Sequence, residues 1–230
     1  MNQKQSIRSK WLKKLAAQNS KVHWGKAAEK LRGLQPYHNA ATVFATPHES
    51  LHQARVNCLV DGKDLLMPGP GIRDGFFLLT APSIPFKDIS MAVTFKGLKR
   101  YGQPLKDNRF SQHPVDMLLA DSLAVDLEGG RIGAGDGFFD LGCALLCELD
   151  GLRHDADILT FVRDDQISPE PLPQDKWDIK VNWAVTPDQV LQFEPSGRDP
   201  RIFWDMLSRD RIKRIEPLWK LYKKGSRGEG

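Results

Sequence analysis

Short apolar runs recur along this chain, and segments with helical spacing separate them. Residues 41–45, 64–67, 76–81, 116–126, 158–162 and 183–186 read as strands of buried character, bounded by Gly, Pro and Asp. Between them, residues 4–18 place Ile7, Trp11, Leu12 and Leu15 at helical intervals. Residues 21–34 suggest a second helix stopped near Gly33 and Pro36, and residues 47–60 and 138–150 two more. Strands alternating with helices are buried on both faces, which implies a mainly parallel sheet. The expected fold is a three-layer α/β/α, Rossmann-like domain over residues 1–194. A linker at 195–200 and a basic helical tail over 201–223 form a C-terminal extension, residues 195–230. Residues 82–113 are rich in Pro, Gly and charge and are expected to be irregular and mobile.

The 230 residues suffice for one such domain without disulfides. Cys58, Cys143 and Cys147 are odd in number and form no C-x-x-C pair. Cys143 and Cys147 lie one helical turn apart and read as small buried apolar residues. No segment is apolar over the length a membrane span needs, and the N-terminus lacks the apolar stretch of a signal peptide. A cytoplasmic protein is the expectation. The net charge of +4 is concentrated at the two ends of the chain. Basic ends can attract nucleic acid or anionic lipid, but no recognition motif accompanies them, so nucleic-acid binding is disfavoured.

His48-Glu49-Ser50-Leu51-His52 fits the H-E-x-x-H pattern of zinc proteases. A catalytic zinc needs a third protein ligand, and neither usual source follows: no extended histidine pattern exists and the next Glu is Glu128. Thr46-Pro47-His48-Glu49 instead reads as a capping box, with Thr46 as N-cap and Pro47 at the first helical position. Zinc is rejected on these grounds.

More chemistry resides in residues 131–140, Arg-Ile-Gly-Ala-Gly-Asp-Gly-Phe-Phe-Asp. Glycines at 133, 135 and 137 between a buried strand and a helix let backbone N–H groups approach an anion. The run is neither a P-loop nor a dinucleotide fingerprint. A tight strand-to-helix turn would also use these glycines. Asp136 opposes a phosphate unless a cation intervenes, and Asp140 could hold Mg²⁺.

This run resembles the R-[LF]-G-x-G-x-G-[YF]-[YF]-D loop of 5-formyltetrahydrofolate cyclo-ligases, the methenyltetrahydrofolate synthetases. Other motifs follow in family order. Lys4 to Arg8 resembles the N-terminal K-x-x-x-R, and Gly62-Lys63 with Leu65-Leu66-Met67-Pro68 the G-K strand. Pro173, Trp177-Asp178-Ile179 and Val185-Thr186-Pro187 resemble the closing segment. The resemblance spans about residues 4–190 and points to a divergent, cyclo-ligase-like branch. It implies an ATP-dependent ligase that converts 5-formyltetrahydrofolate to 5,10-methenyltetrahydrofolate with ADP and phosphate, in folate one-carbon metabolism. By motif, Lys4, Arg8 and Arg131 would be catalytic and meet ATP. Ile132, Gly133, Ala134, Gly135, Asp136, Gly137, Phe138 and Phe139 would wrap its phosphates. Asp140 and Asp178 would hold Mg²⁺, while His48, Glu49 and Phe138 would meet the reduced folate.

Departures from the family pattern qualify that implication. Its pterin-holding Glu maps onto His48, with Glu49 one step further along, and one step turns a helical side chain by about 100°. Leu141, Asn182 and the Phe138-Phe139 pair also replace more polar family residues, and Asp136 stands where many members have Lys or Gly. The alternative is a folate- or nucleotide-binding protein on the same fold without cyclo-ligase activity, serving another cofactor pathway such as thiamin.

Overall fold

The structure, a computed structural model, describes residues 3–17, 22–194 and 200–225. Eleven strands are present among them: β1 Thr42–Ala45, β2 Asp64–Pro68, β3 Phe76–Leu79, β4 Gln103–Leu105, β5 Val115–Asp121, β6 Ala124–Asp126, β7 Arg131–Ile132, β8 Leu152–Phe161, β9 Ile167–Ser168, β10 Trp183–Val185 and β11 Val190–Gln192. The helices are α1 Gln3–Ala16, α2 Trp24–Arg32, α3 Gln35–Asn39, α4 His52–Val60, α5 Ile89–Ala92, α6 Phe95–Tyr101, α7 Phe138–Glu148, α8 Arg209–Arg214 and α9 Glu216–Gly225.

Eight strands form one sheet in the order β11-β10-β8-β5-β1-β2-β3-β4. The five central strands, β10 to β2, run parallel, and the outer strands β11, β3 and β4 pair antiparallel. The mainly parallel three-layer architecture expected from sequence is therefore the one adopted. Alternate strand residues supply two separate cores. Val43, Ala45, Leu65, Met67, Met117 and Leu119 face α2 and α4. Phe44, Leu66, Leu118 and Ala120 face α7. Period-two alternation with both faces apolar is what a sheet covered on both sides requires. The three cysteines are free thiols; Cys58 and Cys143 are buried and Cys147 partly so. Burial pushes the Cys58 thiol up to about 12.

Several sequence expectations change. The run 116–126 is two strands, because β6 leaves the main sheet and pairs with β7 and β9 in a second, three-stranded sheet. The second helix stops at Arg32 with Gly33 as its C-cap, as expected, but Pro36 then lies in the first turn of a further helix, α3, where a missing N–H costs nothing. Residues 82–113 are not irregular. They hold α5, α6 and β4 and bury Ile84, Ile89, Ala92, Val93 and Leu98 in the first core. The tail is helical only from Arg209 onward, apart from a 3-10 turn at Trp204–Met206. Ile202, Ile212, Ile215 and Leu218 join α7 in the second core. Most of the proposed linker, residues 195–199, lies outside the described residues. No described helix is long and apolar enough to cross a membrane.

Gly97 lets α5 and α6 touch. A Cβ there would fall 2.1 Å from the Met91 carbonyl oxygen and 2.4 Å from Ala92 Cα. These are backbone atoms that cannot swing aside. Gly97→Ala is expected to destabilise the protein by about 1–3 kcal/mol, read by urea titration; an unchanged midpoint would mean this packing is absent in solution.

Candidate functional site

Chain order reverses at β1: β2 lies on one side of it and β5 on the other. Loops leaving the C-terminal ends of two such neighbours diverge and open a crevice. Here the reversal is bridged by a side-chain hydrogen bond, from Thr46 Oγ1 after β1 to Asp121 Oδ1 at the end of β5, 2.8 Å. The Thr46 N–H also donates to the Leu119 carbonyl. Both side chains line a cleft of about 470 Å³.

The segment from Thr46 to His48 is fixed from below by Arg55 of α4. Its Nη1 donates to the carbonyls of Thr46 and His48 at 2.7 and 2.8 Å, and its Nε to that of Val93. Burial lowers this guanidinium to about 10, with Glu49 and Asp121 acting the other way, so it stays charged at neutral pH. The expected capping box does not form. Asp121 engages the Thr46 hydroxyl, and His48 caps a 3-10 turn at Glu49–Leu51 by accepting from the Ser50 N–H. The α-helix begins only at His52, whose Nε2 lies 3.1 Å from Ser90 Oγ.

The glycine-rich loop forms the opposite wall. It leaves β7 after Ile132 and enters α7 at Phe138. Gly135 has φ +115° and Gly137 φ +64°, values that side-chain-bearing residues rarely adopt. A Cβ on Gly135 would also meet Arg8 at 3.5 Å. Gly137 is the N-cap of α7, and no side chain caps that helix. Its first-turn N–H groups therefore lack intrahelical acceptors at a helix end that favours negative charge. Arg8 lies across the loop with Nε donating to the Gly133 carbonyl, 3.2 Å.

Arg131 joins the loop's two ends. It is buried, with Nη2 donating to Asp140 Oδ1 at 2.7 Å and Nε to the Ile179 carbonyl, and its guanidinium covers the Phe139 ring at 4.4 Å. Asp140 Oδ1 also accepts from the Ile179 N–H, 3.0 Å. Beside it, Lys4 is the one buried side chain of α1. Its Nζ bonds Asp178 closely and Asp175 at 3.0 Å. These carboxylates offset the cost of burying an ammonium.

Lys4, Arg8, Arg131, Asp140 and Asp178 thus meet in one cleft with Gly133 through Phe139, although they come from opposite ends of the chain. His48 lines it too. Glu49 and Ile132 do not: Glu49 is exposed beyond the wall, and Ile132 is buried with Ala124 and Leu172. Sequence reading missed Phe44, Thr46, Asp121, Trp177, Phe95 and the 68–72 turn. The position of the turn and of Asp121 at strand ends was the available signal. Arg211 of α8 was also missed; its Nη2 donates to the Asp136 carbonyl at 2.6 Å.

Three cations, uncapped helix N–H groups and close-approach glycines can receive a polyphosphate. No described group of three or more His, Cys, Asp or Glu could hold a metal by itself. Asp140 and Asp178 are carboxylates that could hold magnesium together with phosphate oxygens, and each already accepts from a cation, Arg131 and Lys4 respectively.

Fold and cleft define an α/β protein whose glycine-rich loop walls a cleft at the switch point of its sheet. The chain belongs to the 5-formyltetrahydrofolate cyclo-ligase family, whose model matches residues 1–187. A methenyltetrahydrofolate synthase domain-containing protein of Mus musculus is 32% identical over 200 residues, 85% of this chain and 53% of its own length. The protein of that name in Homo sapiens is 30% identical over 201 residues, 85% and 51%. The chain spans about half the length of these curated relatives. The solved 5,10-methenyltetrahydrofolate synthetase of Aquifex aeolicus superposes with a TM-score of 0.55 at 21% identity, covering 89% of this chain and 99% of that one. That of Mycoplasma pneumoniae gives 0.53 at 13% identity, covering 80% and 99%. At these identities the likeness shows a shared fold.

Two outcomes follow from this geometry. Arg131→Met or Asp140→Asn leaves one partner of a buried ion pair unmatched, and each is expected to cost about 3 kcal/mol. A double-mutant cycle by denaturant titration checks this: additive single effects would mean the pair contributes nothing. Burial and the nearby Arg55 lower the His52 imidazole below its usual 6.5, despite Glu49. Its contribution to stability is full above pH 6.5 and shrinks as pH falls through the depressed folded value. Thermal melts from pH 7.5 to 5 should slope less in His52→Gln than in the natural protein.

Proposed function

We propose that the protein is an ATP- and Mg²⁺-dependent cyclo-ligase acting on 5-formyltetrahydrofolate or a closely related reduced folate. One observation carries this reading: Lys4 and Arg8 from the N-terminus, the loop 131–140 and Asp178 share one cleft. In this reading the uncapped α7 N–H groups, Lys4, Arg8 and Arg131 hold and align the ATP phosphates. Magnesium, when bound, supplies charge neutralisation to the phosphate oxygens beside Asp140 and Asp178. The transferred phosphoryl group passes to the formyl oxygen on folate N5, releasing ADP. N10 then attacks the activated carbon, closing the ring as phosphate leaves. The chemistry asks the protein for alignment and charge rather than a covalent nucleophile. Phe138, more than a third exposed at the cleft mouth beside the 69–72 turn, offers a face for a flat ring.

A second reading is favoured by a specific observation. Glu49 faces solvent away from the cleft, so the carboxylate that the family resemblance expects against the pterin is not delivered from that position. A binding protein without cyclo-ligase turnover would accommodate this.

Purified protein mixed with MgATP and 5-formyltetrahydrofolate should develop methenyl-folate absorbance. The signal should be absent without ATP and at least about a hundredfold slower in Asp178→Asn or Lys4→Met. Tight ATP binding with no absorbance change would favour the second reading.

A further inference from the structure

The C-terminal segment lies beyond the 1–187 match, yet it touches the glycine-rich loop and the 176–177 stretch beside Asp178. Arg211 reaches the glycine-rich loop. Its Nη2 donates to the Asp136 carbonyl at 2.6 Å, and its guanidinium stands over the Phe138 ring at 5.3 Å. Phe203 packs edge-on against Trp177, and Lys176 pairs with Asp205 at 3.3 Å, next to Asp178. Between loop and segment lies a second cavity of about 200 Å³, bordered by Gly135, Asp140, Trp177 and Arg211.

Asp136 is the one carboxylate in the loop before Asp140. A carboxylate there opposes any anion the loop receives. Arg211 brings a permanent positive charge to the backbone of that residue, its Nη2 on the Asp136 carbonyl oxygen and not on the carboxylate. The same bond ties down a stretch in which Gly135 and Gly137 both have positive φ and which is otherwise exposed. We propose that Arg211 is a positioning residue of the phosphate site. It holds the glycine-rich loop in its anion-receiving form through the Asp136 carbonyl and adds a positive charge beside the loop. This rests on the reading of the cleft as a polyphosphate site, but not on the identity of the second substrate.

Calorimetry with MgATP and with inorganic tripolyphosphate tests it on the full chain. Arg211→Met should weaken both ligands by about tenfold or more, the loss expected when a charge-assisted hydrogen bond is removed. Arg211→Lys should recover part of that, keeping the charge but not the planar fork. Arg209→Met removes the same charge from the exposed part of α8 and should change affinity less than twofold. Thermal melts of all three should stay close to that of the natural protein. If Arg211→Met binds both ligands as the natural protein does, the proposal fails while the cyclo-ligase reading stands. If Arg209→Met matches Arg211→Met, only net charge matters and the positioning role fails. Weakened binding in Arg211→Met with no folate turnover in the natural protein would keep the proposal and remove the cyclo-ligase reading. No binding of either ligand by the natural protein would overturn both.

Discussion

The buried pair of Arg131 and Asp140 holds the site together. These residues begin and end the glycine-rich loop, so their bond at 2.7 Å closes it like a clasp. Both then bond the backbone of Ile179, which fixes the 177–179 segment against the loop. Arg131 is 4% exposed. A charge so placed is costly unless matched, and here carboxylate, carbonyl and aromatic face all match it. Everything else in the cleft is measured from this clasp: α7 starts from it, Asp178 lies one residue from its anchor, and Lys4 reaches it through Asp178.

The cleft balances charge of both signs over short distances. Lys4 is matched by Asp175 and Asp178, Arg131 by Asp140. These two cations face three carboxylates, and Asp121 adds a fourth to the cleft lining, so positive potential is left to Arg8, the helix end and Arg211. In the proposed reading an incoming anion meets dipoles and partly neutralised cations already in place, an arrangement that needs little rearrangement to receive charge.

Much of this was readable in the chain. Alternating apolar runs specify the layered sheet because each strand must bury both faces, as Val43 and Phe44 do on opposite sides. The ordered motifs pointed to Lys4, Arg8, the glycines, Asp140 and Asp178, which the fold brings together. What stayed hidden depends on partners far away in sequence. Thr46 looks like an N-cap, but its hydroxyl is engaged by Asp121, 75 residues on. Residues 82–113 look irregular because Gly97, Pro104 and their charged neighbours mask the few apolar side chains that enter the core. Arg211 lies in a run of basic residues that reads as solvated charge; only the packing of Ile212 and Ile215 turns it toward the loop.

Lys4 is the sole fully buried side chain of α1, and Ile7 and Trp11 add only partial apolar contact. The sheet and both its cores are complete without this helix. Segments with so little buried surface open at lower free energy than the body they rest on. Lys4 and Arg8 both sit on α1, so the bonds to Asp178 and to the Gly133 carbonyl depend on one helix staying docked. The cleft thus draws two of its cations from a helix that the sheet does not need, while the Arg131–Asp140 clasp and the glycine-rich loop stay with the body of the fold.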